Sequence, residues 1–362
     1  MTPNEKDLQL LRQIWPKLSE QELSVDAADY VVVQEYLSAK GKALNAPSSA
    51  LSPLSLNDVL GVIDEIRRLR ASTRFEIVQA VGQKLQHKSL ANSVVSKTVD
   101  LAASLWLAVN VRSTAELLHA NFPVLGWAED QSLETVLQSA FQPPKEEPLK
   151  KAAATVKIKG DLTMTNLVTN FGFSIRWTHN LLEHLSIDWV GRVITVYEHK
   201  ICLWNHLRFK EDSALPAAIL AEAIDTLNLL FPFGDTATEA LLRKHGRPFY
   251  GLGYFGRKRA LDLDDYSYWR KRIEELQQVL EGPPSGLQQL ALDRNRSNVL
   301  AFTTFWIATA VGVLAVMGLA AGVVSTVYAK KQYDLALLQY ALSLAQACAA
   351  PGAAEQLPGF CS

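Results

Sequence analysis

Net charge is nearly absent from this chain of 362 residues: 36 basic side chains stand against 37 acidic ones, leaving −1 at pH 7. No global field therefore draws it to nucleic acid or anionic lipid, and either kind of binding needs a local patch. An apolar run is missing from the N-terminus, where Glu5, Lys6, Asp7, Arg12 and Lys17 are spread instead, which excludes a classical secretory signal peptide. A nucleophile elbow, a Walker loop and an HExxH pair are also missing, and with them the strongest sequence marks of an enzyme. No internal repeat is visible. Cysteine is scarce, with Cys202, Cys348 and Cys361 the three copies.

Charge is missing altogether from Ser297 to Ala329, between Arg294/Arg296 and Lys330/Lys331, and the stretch carries Phe302, Phe305, Trp306, Ile307, Leu314, Val316 and Leu319. About 20 apolar residues cross the roughly 30 Å hydrocarbon layer, so 297–329 is predicted to be one transmembrane helix with surplus for tilt. A buried core helix is the rival reading, but such a helix usually keeps a polar face. With no ionisable group inside it, the span does not form an ion pathway by itself. The flanking cations match and do not orient it. Its late position and the missing signal do: residues 1–296 are expected in the cytosol, and 330–362 as a lumenal or extracellular tail. Cys348 and Cys361 both fall in that tail and read as a disulfide pair, which requires an oxidising compartment. Gly318 and Gly322 form a G-x-x-x-G that Gly312 extends. Small residues let helices approach closely, so this strip is the expected helix–helix contact of a homo-oligomer.

Ahead of the span the expected fold class is mainly α: an N-terminal helical domain (1–142), a linker (143–152) and a small α+β module (153–292). Apolar residues recur at three and four spacing over 5–14, 26–38, 56–69, 75–86, 91–111 and 131–141, which predicts six helices. The fifth, with Leu101, Leu105, Trp106 and Leu107, is apolar enough to be central. Lys97, Asp100 and Arg112 are too close together for it to cross a bilayer. The proline-rich, charged 143–152 marks a boundary. Beyond it Phe173, Ile175 and Trp177 alternate with polar residues, the period of a strand, and Val193 to Tyr197 supply a second. Helices return after Ser213 and near Asp264, where Asp262, Asp264 and Asp265 are read as capping and charging the helix that carries Trp269.

The candidate sites are few. Gly251-Leu-Gly-Tyr-Phe-Gly256 fits the G-x-G-x-x-G string, but no buried strand precedes it and basic residues follow, so a glycine-permitted turn is the better reading. Around it Arg243, Lys244, Arg247, Arg257, Lys258 and Arg259 interleave with aromatics. That pattern suits a lipid-facing basic patch, against the plainer reading of a solvated loop with its rings folded inward. His199, Cys202 and His206 nearly share a helix face, yet their spacing matches no familiar zinc set, and hydrogen-bonded imidazoles are the simpler account. No catalytic, cofactor or metal residue is assigned, no cofactor is expected, and nucleic acid is not an expected partner.

The segment 173–185 (FSIRWTHNLLEHL), followed by 193–197 (VITVY), resembles a signature of uncharacterised membrane proteins of filamentous fungi with a single C-terminal transmembrane helix. Leu105-Trp106-Leu107, the 227–234 stretch and the late span share that resemblance. His179 stands where such proteins carry an aspartate, so no acidic catalytic residue transfers to that position. The resemblance implies a fungal membrane protein accessory to a specialised-metabolite pathway and no established activity. The expectation is thus a single-pass scaffold or adaptor binding a cytosolic protein partner. The alternative is a membrane-tethered enzyme acting on a lipophilic substrate near His179, Asp188 and His199.

Overall fold

An apolar stripe closes into a helix where it finds a surface to bury against. The computed structural model describes residues 5–25, 27–46, 51, 54–113, 123–142, 156–282, 299–352, 355 and 359–361, and it is mainly α, with two small sheets and a long C-terminal helix. The N-terminal region holds α1 (Glu5–Ile14), α2 (Glu20–Val25), α3 (Val31–Leu44), α4 (Leu56–Gly61), α5 (Ile63–Arg68), α6 (Arg74–Lys84) and α7 (Asn92–Leu107). Ser55 and Thr73 open α4 and α6 with capping boxes, each hydroxyl accepting from the amide three residues on while Asp58 or Glu76 accepts in return.

Two helices differ from the periodicity. The 56–69 stripe is divided at Val62, which ends α4 and begins α5. The helix read over 91–111 stops at Ala108, left-handed at φ 55°, and Val111 opens strand β1 (Val111–Ser113), parallel to β2 (Leu125–Trp127). Tertiary partners decide this end: Asn180 Oδ1 accepts from the Asn110 amide and the Ser104 hydroxyl from the Val111 amide. Helix α8 (Leu133–Ala140) completes the region. Helix α7 is central, with Val99, Ala102, Ala103, Trp106 and Leu107 buried. Asp100, the charge that disqualified α7 as a span, is buried against the fully buried Arg74 at 2.9 Å. Arg74 also meets Ser96 and Glu129 and lies over the Trp127 ring.

The α+β region runs α9 (Met164–Phe171), β3 (Ser174–Thr178), β4 (Ile187–Asp188), β5 (Val193–Tyr197), α10 (Lys200–Arg208), α11 (Ala217–Leu230), α12 (Thr236–Lys244) and α13 (Arg270–Val279). Strand β5 is central, parallel to β3 and antiparallel to β4. Gly191 lies in the turn between β4 and β5, where an added Cβ would sit 2.6 Å from Asp188 Oδ2 and displace that carboxylate. The aspartates near 264 do not cap α13. Asp264 pairs with Arg270 and Asp262 with Lys157, while Glu222 of α11 accepts from the amides of Ser267, Tyr268 and Trp269 at 2.7–3.0 Å. These contacts come from another helix, which local sequence cannot reveal.

The 143–152 linker lies outside the described residues. On its two sides the helical and α+β regions share one hydrophobic core, and Met1–Ser285 is one compact unit. The Leu181 amide donates to Ala108 O at 2.9 Å, His206 Nε2 lies 2.7 Å from Trp106 O, and Asn205 Nδ2 donates to the buried Tyr30 hydroxyl at 2.9 Å.

The second unit, Gly286–Ser362, contains α14 (Val299–Cys348). Among the described residues this is the one helix long and apolar enough to cross a membrane, and the most apolar part of Phe302–Cys348 has no buried residue. It does not end at Lys330 and Lys331, where the span was bounded, but continues for another four to five turns. At 1.5 Å per residue its 50 residues reach about 75 Å, more than twice the hydrocarbon layer. Cys348, its last residue, is joined to Cys361 as a disulfide, with Cα atoms 5.3 Å apart.

Candidate functional site

The parallel register of β3 and β5 sets Thr178 beside Tyr197. Parallel strands deliver their C-terminal ends to the same sheet edge, so His179 leaves one strand where Glu198 and His199 leave the other. His179 Nδ1 lies 2.6 Å from Glu198 Oε1 and 2.8 Å from His199 Nε2, and Oε1 lies 3.8 Å from that Nε2. The two imidazoles meet edge to edge, their planes 17° apart and their centroids 5.0 Å apart. Tyr36 of α3 stacks on His179 at 4.1 Å and lies 5.6 Å from the His199 ring, so the helical region completes a site that begins on the sheet.

Burial divides the members. Glu198 and His199 have side chains 2% and 3% exposed, whereas His179 is 45% exposed and opens the cluster to solvent. Arg247 Nε lies 2.7 Å from Glu198 Oε2, close enough for an ion pair but without hydrogen-bond alignment. For Glu198 burial acts to raise the pKa, but the His179 hydrogen bond and the neighbouring His199, His179 and Arg247 outweigh it, so the group stays anionic below its ordinary value. Burial pushes His199 down to about 3 and keeps it neutral. Its Nδ1 is buried without a hydrogen-bond partner, and the Tyr197 hydroxyl beside it faces the Cys202 thiol.

The next residue, Lys200, is also buried, and desolvation lowers its pKa to about 7. Its Nζ donates to Asn228 Oδ1 at 2.8 Å and Gly253 O at 2.6 Å and lies over Phe255, so it ties α10 to the 251–256 loop. Cys202 is buried, and desolvation raises its thiol far above neutrality, which leaves it unreactive.

Of the histidines grouped in the sequence, His179 and His199 meet and the others serve the core. His184 accepts the Tyr197 amide and bonds Thr226; His206 joins Trp106 O and Ser213. Neither Cys202 nor His206 joins the cluster. Asp188 is elsewhere too, its Oδ1 accepting the Val190 and Gly191 amides.

Half of the basic string, Arg247, Arg257 and Arg259, is spent inside the unit, while Arg243, Lys244 and Lys258 are exposed. Arg257 grips Asp225 at 2.6 and 2.5 Å, Arg259 donates to the carbonyls of Leu229, Gly160 and Leu162, Arg243 pairs with Glu239 and Arg247 with Glu198. Lys244 and Lys258 are left out of these pairs. The rings turn inward: Phe249 is buried and Phe255 stacks on Trp204 at 4.6 Å. Gly253 and Gly256, at φ 56° and 71°, make turns, and no helix follows Gly256 directly, so the loop lacks the frame of a dinucleotide site. Gly312, Gly318 and Gly322 lie exposed on α14 with no atom within 4 Å of an added Cβ.

Glu198, Tyr36 and Arg247 were not legible as site members. The signal was the pair of strands with polar residues just past their ends, but their relative direction is not written in either strand. Strand β4 takes the hairpin position and leaves β3 parallel to β5. No known protein family, curated protein or solved structure matches the chain.

Proposed function

We propose that this chain is a single-pass, membrane-anchored scaffold or adaptor whose Met1–Ser285 unit recruits protein partners in the cytosol. Helix α14 carries the reading: a helix of this length with no buried residue in its most apolar stretch is costly in water and favourable in lipid. The Cys348–Cys361 pairing fits a C-terminal segment in an oxidising lumen or exterior, opposite the cytosol. The resemblance to fungal membrane proteins fits an accessory role in a specialised-metabolite pathway. The experiment is carbonate extraction combined with protease protection of tags at both ends. Pelleted protein with only the C-terminal tag protected is expected. Release by carbonate removes the anchor, and digestion of the C-terminal tag from the cytosolic side reverses the topology.

A second reading, a membrane-tethered enzyme acting on a lipophilic substrate, is favoured by one observation. His179 is half-exposed and its Nδ1 faces a buried, anionic Glu198, an arrangement that orients an imidazole as a general base. It lacks an adjacent nucleophile among the described residues, which places it behind the adaptor.

A further inference from the structure

The cluster at the ends of β3 and β5 has a proton-counting problem. His179 Nδ1 lies within hydrogen-bond distance of both Glu198 Oε1 and His199 Nε2, yet one ring nitrogen carries at most one proton. A proton on Nδ1 makes the aligned hydrogen bond to His199 Nε2 and leaves Glu198 Oε1 beside it without one; a proton on Nε2 aimed at Nδ1 leaves a lone pair facing a carboxylate. A cation placed among the three donors satisfies all of them at once.

We propose that His179 Nδ1, His199 Nε2 and Glu198 Oε1 bind one divalent transition-metal ion of the zinc class. The distances support the size. A triangle with sides of 2.6, 2.8 and 3.8 Å has a point about 2.0–2.1 Å from every donor, the usual zinc–nitrogen and zinc–carboxylate distance, and a tetrahedral ion would open its two shorter sides by about half an ångström. All three donors lie within 4.8 Å of one another. Two imidazoles and a carboxylate suit zinc, cobalt or nickel rather than calcium or magnesium, which prefer oxygen sets. Arg247 holds the far oxygen, Oε2, and leaves Oε1 turned to the histidines, the part an outer partner plays in orienting a ligating carboxylate. The half-exposed His179 side leaves a position open for water or an added ligand, as in three-ligand sites that do not serve structure alone. The site is independent of the adaptor reading: a bound metal could bridge a partner's side chain or serve the enzyme alternative.

The test uses the full chain purified in detergent, stripped with chelator and titrated with Co2+ alone. The wild type is expected to take up one equivalent with visible d–d absorption that Zn2+ abolishes. His179→Gln replaces an exposed side chain and is expected to keep the melting temperature while weakening Co2+ at least about tenfold. Glu198→Gln is expected to do the same, and if it fails to fold, the His179 variant still decides. Absence of saturable absorption in the wild type, or unchanged affinity in His179→Gln, overturns the proposal. A thiolate-to-cobalt charge-transfer band overturns it as well, because it would bring Cys202 into a ligand set that excludes it.

Discussion

The two units of this chain treat the same side chains in opposite ways. In Met1–Ser285, Trp106, Trp127 and Trp269 are almost fully buried and even Arg74 is taken inside with its partners. In Gly286–Ser362, Trp306, Leu314, Val316, Leu319 and Val323 are all more than half exposed, and no ion pair interrupts the described helix from Phe302 to Ala329. The apolar content of α14 is high, but its helical face does not matter: it is apolar all round rather than striped. A water-facing unit must hide its apolar atoms and pair its buried charges; α14 does not hide its own, and by length and composition it could cross a membrane.

The contrast can be broken most strongly within α14. Val313 and Leu314 sit near the middle of the uncharged stretch, and each arginine placed at the centre of a span costs roughly 2.5–3.5 kcal/mol on insertion scales, so replacing both with Arg adds about 6 kcal/mol. The double variant is expected in the supernatant after carbonate extraction, with the wild type in the pellet. Retention of both would mean that the Met1–Ser285 unit holds the membrane.

Inside the first unit the reverse substitution carries the penalty. Asp100→Ala removes the buried partner of Arg74 and leaves a guanidinium that is 0% exposed with the half-exposed Glu129 as its remaining counter-charge, which is expected to cost about 3–5 kcal/mol. Thermal unfolding of the detergent-solubilised protein measures it, and a loss below 1 kcal/mol would mean that Glu129 alone compensates Arg74. The membrane extraction should not change.

A smaller effect comes from pH. His206 is fully buried between Trp106 O and Ser213, and burial lowers its pKa from 6.5 to about 4. Unfolded His206 takes up a proton below about 6.5 while the folded residue does not until about 4. The unfolded state therefore binds more protons in that window, and stability falls as pH drops through it, by about 3 kcal/mol in all. Denaturant unfolding at pH 7 and pH 5, compared between wild type and His206→Gln, isolates the contribution. The variant is expected to show the shallower acid dependence, and equal slopes would place the acid sensitivity elsewhere, with His184 the next residue to vary.

Much of this fold could be read directly. The 5–14 pattern matches α1 residue for residue, α6 and α8 fall within two residues of their expected bounds, and the uncharged run forms the first part of α14. These depend on contiguous periodicity and on local caps such as Ser55 and Thr73, whose partners lie three residues away. The Glu222 contacts at the start of α13 and the break at Ala108 could not be read, because each is decided by a group from another element.

The chain by itself determined that one segment has the length and composition for a bilayer and that the rest must bury helical stripes, since hydrophobic period and charge spacing are properties of contiguous residues. Only the tertiary structure decided that the regions around the linker share a core. It alone set β3 parallel to β5 and spent Arg247 on Glu198, drawing two histidines twenty positions apart onto one carboxylate. Strand register and the pairing of distant charges depend on which surfaces meet, and no local pattern encodes that choice.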